Sequence, residues 1–124
     1  NSTIPALYNA YYKPVNYSFE DVKEFAKKAK ENGIFTMINY LIFPGVSDTE
    51  EEFSNLKNFI RETKIDFIHF KNLCIDPVDY INKVGKGEGS TLGIRGMFEL
   101  LRQEFPDVEI GYFNKNTVKF VGYD

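Results

Sequence analysis

The 124-residue sequence has no tryptophan, one cysteine and one histidine. A single cysteine cannot close an internal disulfide, and without a second cysteine or histidine at ligand spacing no zinc or iron–sulfur site made by this chain alone is expected. Cys74 therefore reads as a small hydrophobe, and a reducing cytoplasm is expected rather than secretion. Long apolar runs are also missing. The longest, Met37 to Phe43, is interrupted by Asn39 and is far shorter than the ~20 residues of a membrane-spanning helix, so no membrane partner is expected. Nor is there a basic block beyond the Lys27-Lys28 pair; the formal charge is −3 and the pI about 5.2. A nucleic-acid partner is not expected. The sequence lacks an initiator methionine and opens on NSTIPALYNAYY, with neither a basic nor an apolar leader segment. It reads as a piece of a longer protein.

What is present is globular. Hydrophobic residues make up 43%, and 12 Phe with 8 Tyr supply bulk for one core. Ser18 to Asp21 reads as a capping box, followed by Phe19, Val22, Phe25, Ala26 and Ala29 at helical spacing, with Gly33 as the terminal cap. Ile34 to Phe43 shows almost no polar alternation, the pattern of a strand covered on both faces. Ser47 or Asp48 is expected to cap a second helix whose stripe is Phe53, Leu56, Phe59 and Ile60. Ile65 to Phe70 reads as a second strand, Pro77 as the start of a short helix, Ile94 to Glu104 as a helix, and Val108 to Phe113 as a third strand. The tail NKNTVKFVGYD is expected to add an edge strand. The crossovers between these strands, roughly 20 to 40 residues, are long enough for the helix-containing connections that parallel pairing requires, with all strand ends on one rim.

In such architectures ligands sit beyond the carboxyl ends of the strands. Asn39, polar inside an apolar strand, is either satisfied by neighbours or aimed into a site. Lys71-Asn72 follows the second strand at the same rim. Pro44-Gly45 reads as a strand-stopping turn or as a close backbone approach to a ligand. His69 is expected in a core or half-exposed position rather than on a metal. The loop GKGEGSTLG lacks the spacing of a phosphate cradle and reads as a lid or connector. The Glu50-Glu51-Glu52 run reads as a charge match to a helix N-terminus.

Taken in order, LYNAYYKPVNYSFEDV, INYLIFPGVSDTEEE, FKNLCIDPVDY and GIRGMFELLRQEFPDVEIGYFN resemble the C-terminal half of a radical S-adenosylmethionine (radical SAM) enzyme of the glycyl-radical activating kind. The resemblance spans nearly the whole chain. It implies an α/β fold, roughly half of a partial (βα) barrel, as one domain over residues 1–124. In such enzymes a CxxxCxxC loop after the first strand holds a [4Fe–4S] cluster. Reductive cleavage of S-adenosylmethionine there yields a 5′-deoxyadenosyl radical. No such triplet is present, so this chain is expected to hold neither group alone, to act only with the missing part of the barrel or a dimer partner covering its sheet edges, and to have no independent activity. Carried over residue by residue, Asn1 and Ser2 would end the strand before the Phe19 helix, near the methionine carboxylate and ribose. Asn39 would contact ribose or carboxylate, Leu41, Phe43, Pro44 and Gly45 would pack beside adenine, and Lys71, Asn72 and Leu73 would face nucleoside or substrate. Two other readings stand beside it: part of a different α/β barrel, aldolase-like or phosphate-binding, and a non-enzymatic module that uses open sheet edges to dimerise or bind a partner.

Overall fold

The computed structural model describes residues 1–87 and 89–111. Helix α1 spans Pro5–Tyr12, α2 Phe19–Glu31, α3 Glu50–Thr63, α4 Pro77–Val84 and α5 Ile94–Glu104; strands are β1 Met37–Ile42, β2 Phe67–Asn72 and β3 Glu109–Gly111. The three strands form one parallel sheet in sequential order, β1-β2-β3. Tyr40 pairs with Phe70 and Ile42 with Asn72, so both strands end on one rim. The expected α/β fold of parallel strands alternating with helices is present. The expected edge strand in the tail lies outside the described residues, as do the last two residues of the expected third strand.

One face of the sheet carries the main core. Ile38, Tyr40, Ile42, Ile68, Phe70 and Ile110 meet Phe19 and Ala26 of α2, Phe53, Leu56, Phe59 and Ile60 of α3, and Met97 and Leu101 of α5. Among the described residues the helices of the main core lie on this one face, while Phe67 and His69 of β2 are buried on the other. A second cluster sits over the strand ends, where α1 packs on α4 through Val46, Tyr80 and Val84 with Leu7, Tyr11, Phe43 and Leu73 around them.

Local chemistry explains most boundaries. Ser18 caps α2 in a full capping box with Asp21, and Gly33, at φ +73°, takes the left-handed turn after it. The expected long strand starts three residues late. The Thr36 amide donates to the Asp66 carboxylate at 2.8 Å instead of joining a ladder, and Ile34 and Phe35 are exposed. Coverage on both faces fails for β1: Ile38, Tyr40 and Ile42 face the core, whereas Met37 and Asn39 are exposed. Phe25 is likewise 77% exposed, because α2 meets α3 through Phe19 and Ala26 and the Phe25 side chain lies outside that contact. Helix α3 is capped by Thr49 rather than Ser47 or Asp48. Those two are committed one turn earlier, Ser47 Oγ accepting from the Phe43 amide and Asp48 from the Gly45 amide.

Candidate functional site

Strand parity sorts the sequence-predicted residues. The amide of Leu73 donates to the Ile42 carbonyl at 3.0 Å, so the even-numbered residues of β1 bond to β2, and alternation turns the odd-numbered side chains to the face opposite the main core. Asn39 stands there beside its register partner His69, and Leu41 beside Lys71. Asn39 and Lys71 are exposed and make no side-chain hydrogen bond or ion pair among the described residues. His69 is buried, its ring stacked on Phe67 with centroids 6.1 Å apart. Burial holds its imidazole below the ordinary 6.5, and the Lys71 cation pushes the same way. Asn39, Leu41 and Lys71 therefore share one face with the buried Phe67 and His69, Asn39 and Lys71 being exposed and Leu41 half-buried. Asn72, the last residue of β2, is exposed at the rim.

Phe43 and Leu73 are not on that surface. Phe43 lies against Tyr80, ring centroids 4.3 Å apart, and both residues belong to the cluster under α1 and α4. Pro44 and Gly45 form an exposed turn with Gly45 at φ +87°. A backbone does approach Gly45 closely, and it belongs to the same chain: a Cβ built on Gly87 would lie 2.0 Å from the Gly45 carbonyl oxygen. The glycine-rich connector is seated there and stitched further along. The Glu50 amide donates to the Ser90 carbonyl, the Leu92 amide donates to that of Asp48, and Thr91 bridges Thr49.

Asn1 and Ser2 precede helix α1, an element the sequence reading did not anticipate, although Pro5 at the first helical turn and Leu7, Tyr8, Tyr11 at helical spacing were available signals. Both are buried and converge on a residue read only as a dipole match. Glu52, on the third residue of α3, is fully buried. It accepts from four donors: the Ser2 hydroxyl, the Thr3 amide and hydroxyl, each at 2.6 Å, and the Tyr40 hydroxyl at 2.8 Å. No cation is among them, so neutral donors and the positive end of α3 hold this carboxylate. Burial and the neighbouring carboxylate drive the Tyr40 phenol well above its ordinary range, which keeps it a donor. The signal for Glu52 was its spacing. At 52, 56, 59, 60 and 63 it falls on the apolar stripe of its own helix.

Beside Asn1 the phenol of Tyr80 accepts from the Asn1 side-chain amide at 3.2 Å, while Asn1 Oδ1 is buried without a partner among the described residues. A groove of about 360 Å³ runs between Asn1–Thr3 and residues 38–40, floored by Tyr8, Phe19 and Phe59. Cys74, read as a small hydrophobe, is exposed in the loop between β2 and α4, its thiol donating to the Asn72 carbonyl at 3.8 Å. No group of three metal-ligating side chains occurs among the described residues, and no described helix is long and apolar enough to cross a membrane. No family model, curated protein or solved structure matches this chain.

Proposed function

We propose that this chain is the C-terminal half-barrel of a radical SAM enzyme, contributing part of the S-adenosylmethionine pocket and of the substrate wall. The observation that carries the reading is the exposure of Asn39 and Lys71 on one face of adjacent parallel strands, neither side chain making a hydrogen bond or ion pair among the described residues. The sequential parallel strand order, with the main-core helices of the described residues on one face, supports a barrel wall, whose inner face and carboxyl rim bind ligand.

The residues suit the nucleoside cofactor. The Asn39 amide offers a donor and an acceptor, Lys71 a cation for a carboxylate, and the orphaned Asn1 Oδ1 an acceptor for an ammonium, amine or hydroxyl. They do not suit a [4Fe–4S] cluster, because the one cysteine is exposed and unaccompanied. When bound, S-adenosylmethionine supplies a radical precursor; these side chains orient it and exclude water around it. Anaerobic reconstitution of the encoded polypeptide should give 5′-deoxyadenosine. Lys71→Ala should weaken S-adenosylmethionine binding by about tenfold or more, the worth of a charged hydrogen bond. No 5′-deoxyadenosine from the iron-loaded protein rejects the reading.

One observation favours a second reading, a Schiff-base barrel enzyme of the aldolase kind. Lys71, on an open face near a strand's carboxyl end, stands where an imine-forming lysine works. Borohydride trapping of a carbonyl compound on Lys71 separates the two.

A further inference from the structure

We propose that His69 and Lys71 together bind one oxyanion, a carboxylate or phosphate of the ligand that seats against this sheet, with the Asn39 amide as a third donor; the choice of face rests on the half-barrel reading. His69 is 5% exposed, its ring lies on Phe67, and its side chain makes no hydrogen bond among the described residues. A neutral imidazole carries one N–H donor and one acceptor, and leaving them unpaired in a buried position costs stability that a bound ligand restores. The β3 neighbour of His69 is Gly111, so no side chain from that position stands beside the ring.

The groups around the imidazole are donors. Lys71 lies two residues on along the same strand and on the same face, about 6.6 Å away at Cα, and its flexible stem lets the ammonium reach back over that gap. Asn39, the register partner of His69, flanks it on β1. The lysine offers donors only, the Asn39 amide two and the imidazole one. The Lys71 charge repels a cation and attracts an anion, and a group with two or three oxygens accepts from all three side chains at once. Among the described strand residues the one carboxylate on this face is Glu109, which stands beside Phe67, one pleat repeat below His69. The end toward the carboxyl rim is therefore the positive one.

Titration of the His69 imidazole by nuclear magnetic resonance tests this, because His69 is the only histidine of the sequence. Without ligand, burial and the Lys71 cation hold its pKa below 6.5; a bound anion favours the imidazolium and pushes the pKa back up. At constant ionic strength, saturating S-adenosylmethionine, acetate or inorganic phosphate should make the ring hold its proton about tenfold more tightly. Lys71→Ala should cut that effect to less than about twofold, and Lys71→Arg, which keeps the charge, should retain it. No response to any of the three probes overturns the proposal, as does an equal response in Lys71→Ala. A response to S-adenosylmethionine alone assigns the oxyanion to the cofactor's carboxylate, and a response to acetate or phosphate alone assigns it to an acid group of the substrate. Missing 5′-deoxyadenosine would reject the radical SAM reading and leave the oxyanion pair standing.

Discussion

At the scale of the residue, Glu52 concentrates the most energy in one place. Glu52→Ala strips four donors of their acceptor in a fully buried position, and should cost about 3–5 kcal/mol in urea unfolding, as for other broken buried charge networks. Glu52→Gln should cost far less, about 1 kcal/mol, because the Ser2 hydroxyl can rotate to accept from the new amide while the other oxygen keeps Thr3 and Tyr40. If the two variants proved equally damaging, the network would matter only as packing. His69 gives a pH signature. Its folded imidazole binds protons less readily than the unfolded one at 6.5, so the unfolded state takes up more protons as pH falls below that value and stability declines. Stability curves at pH 7 and 5.5 should converge in His69→Gln relative to the parent. Sequence made one of these residues half visible and the other invisible: a lone histidine in an apolar run announces itself, whereas Glu52 hides in a triplet of glutamates whose first members are solvent-exposed cap charges.

At the scale of the element, glycine separates two kinds of constraint. Gly87 has no room, since a Cβ would meet the Gly45 carbonyl at 2.0 Å and Thr49 Cγ2 at 2.8 Å. Gly87→Ala should destabilise by about 1–3 kcal/mol as the connector is pushed off the turn. Gly96, inside α5, has open space around it, and Gly96→Ala should stabilise by about 0.5–1 kcal/mol through helix propensity. Thermal melts of the pair read opposite signs if the assignment holds. Helices with their own capping chemistry were legible at the Ser18 box and at Pro77, and Ile94–Glu104, which has no side-chain cap, also stands where expected. Strand edges were not, because they depend on partners distant in sequence. Asp66 takes the Thr36 amide out of the ladder, and β2 begins only where that bond ends. The Thr49 cap was obscured by Ser47 and Asp48, whose equally suitable oxygens are used by the Pro44-Gly45 turn.

At the scale of the whole molecule, two apolar clusters share the work unequally. Leu56, fully buried in the main core, should cost about 2–5 kcal/mol as Leu56→Ala and lower the global unfolding midpoint. Val84, in the cluster under α1 and α4, should loosen those two helices as Val84→Ala, with hydrogen exchange accelerated there and little changed in β2. Uniform acceleration in both variants would mean one cooperative unit. The reading of β1 as covered on both faces failed at this scale, since sequence shows how apolar a strand is and leaves open which neighbour covers each side. The candidate site was legible as a rim and as Asn39 with Lys71, and illegible as the Asn1–Glu52 junction, which joins residues about fifty positions apart.

The sequential strand order has a consequence for synthesis. Among the described residues, β2 pairs with β1 and β3 with β2, each with the strand made just before it, so a nascent chain leaving the ribosome can complete each of these pairs in order. Once α3 and β2 have emerged, β1 has its described partner, and the sheet extends at the pace of translation.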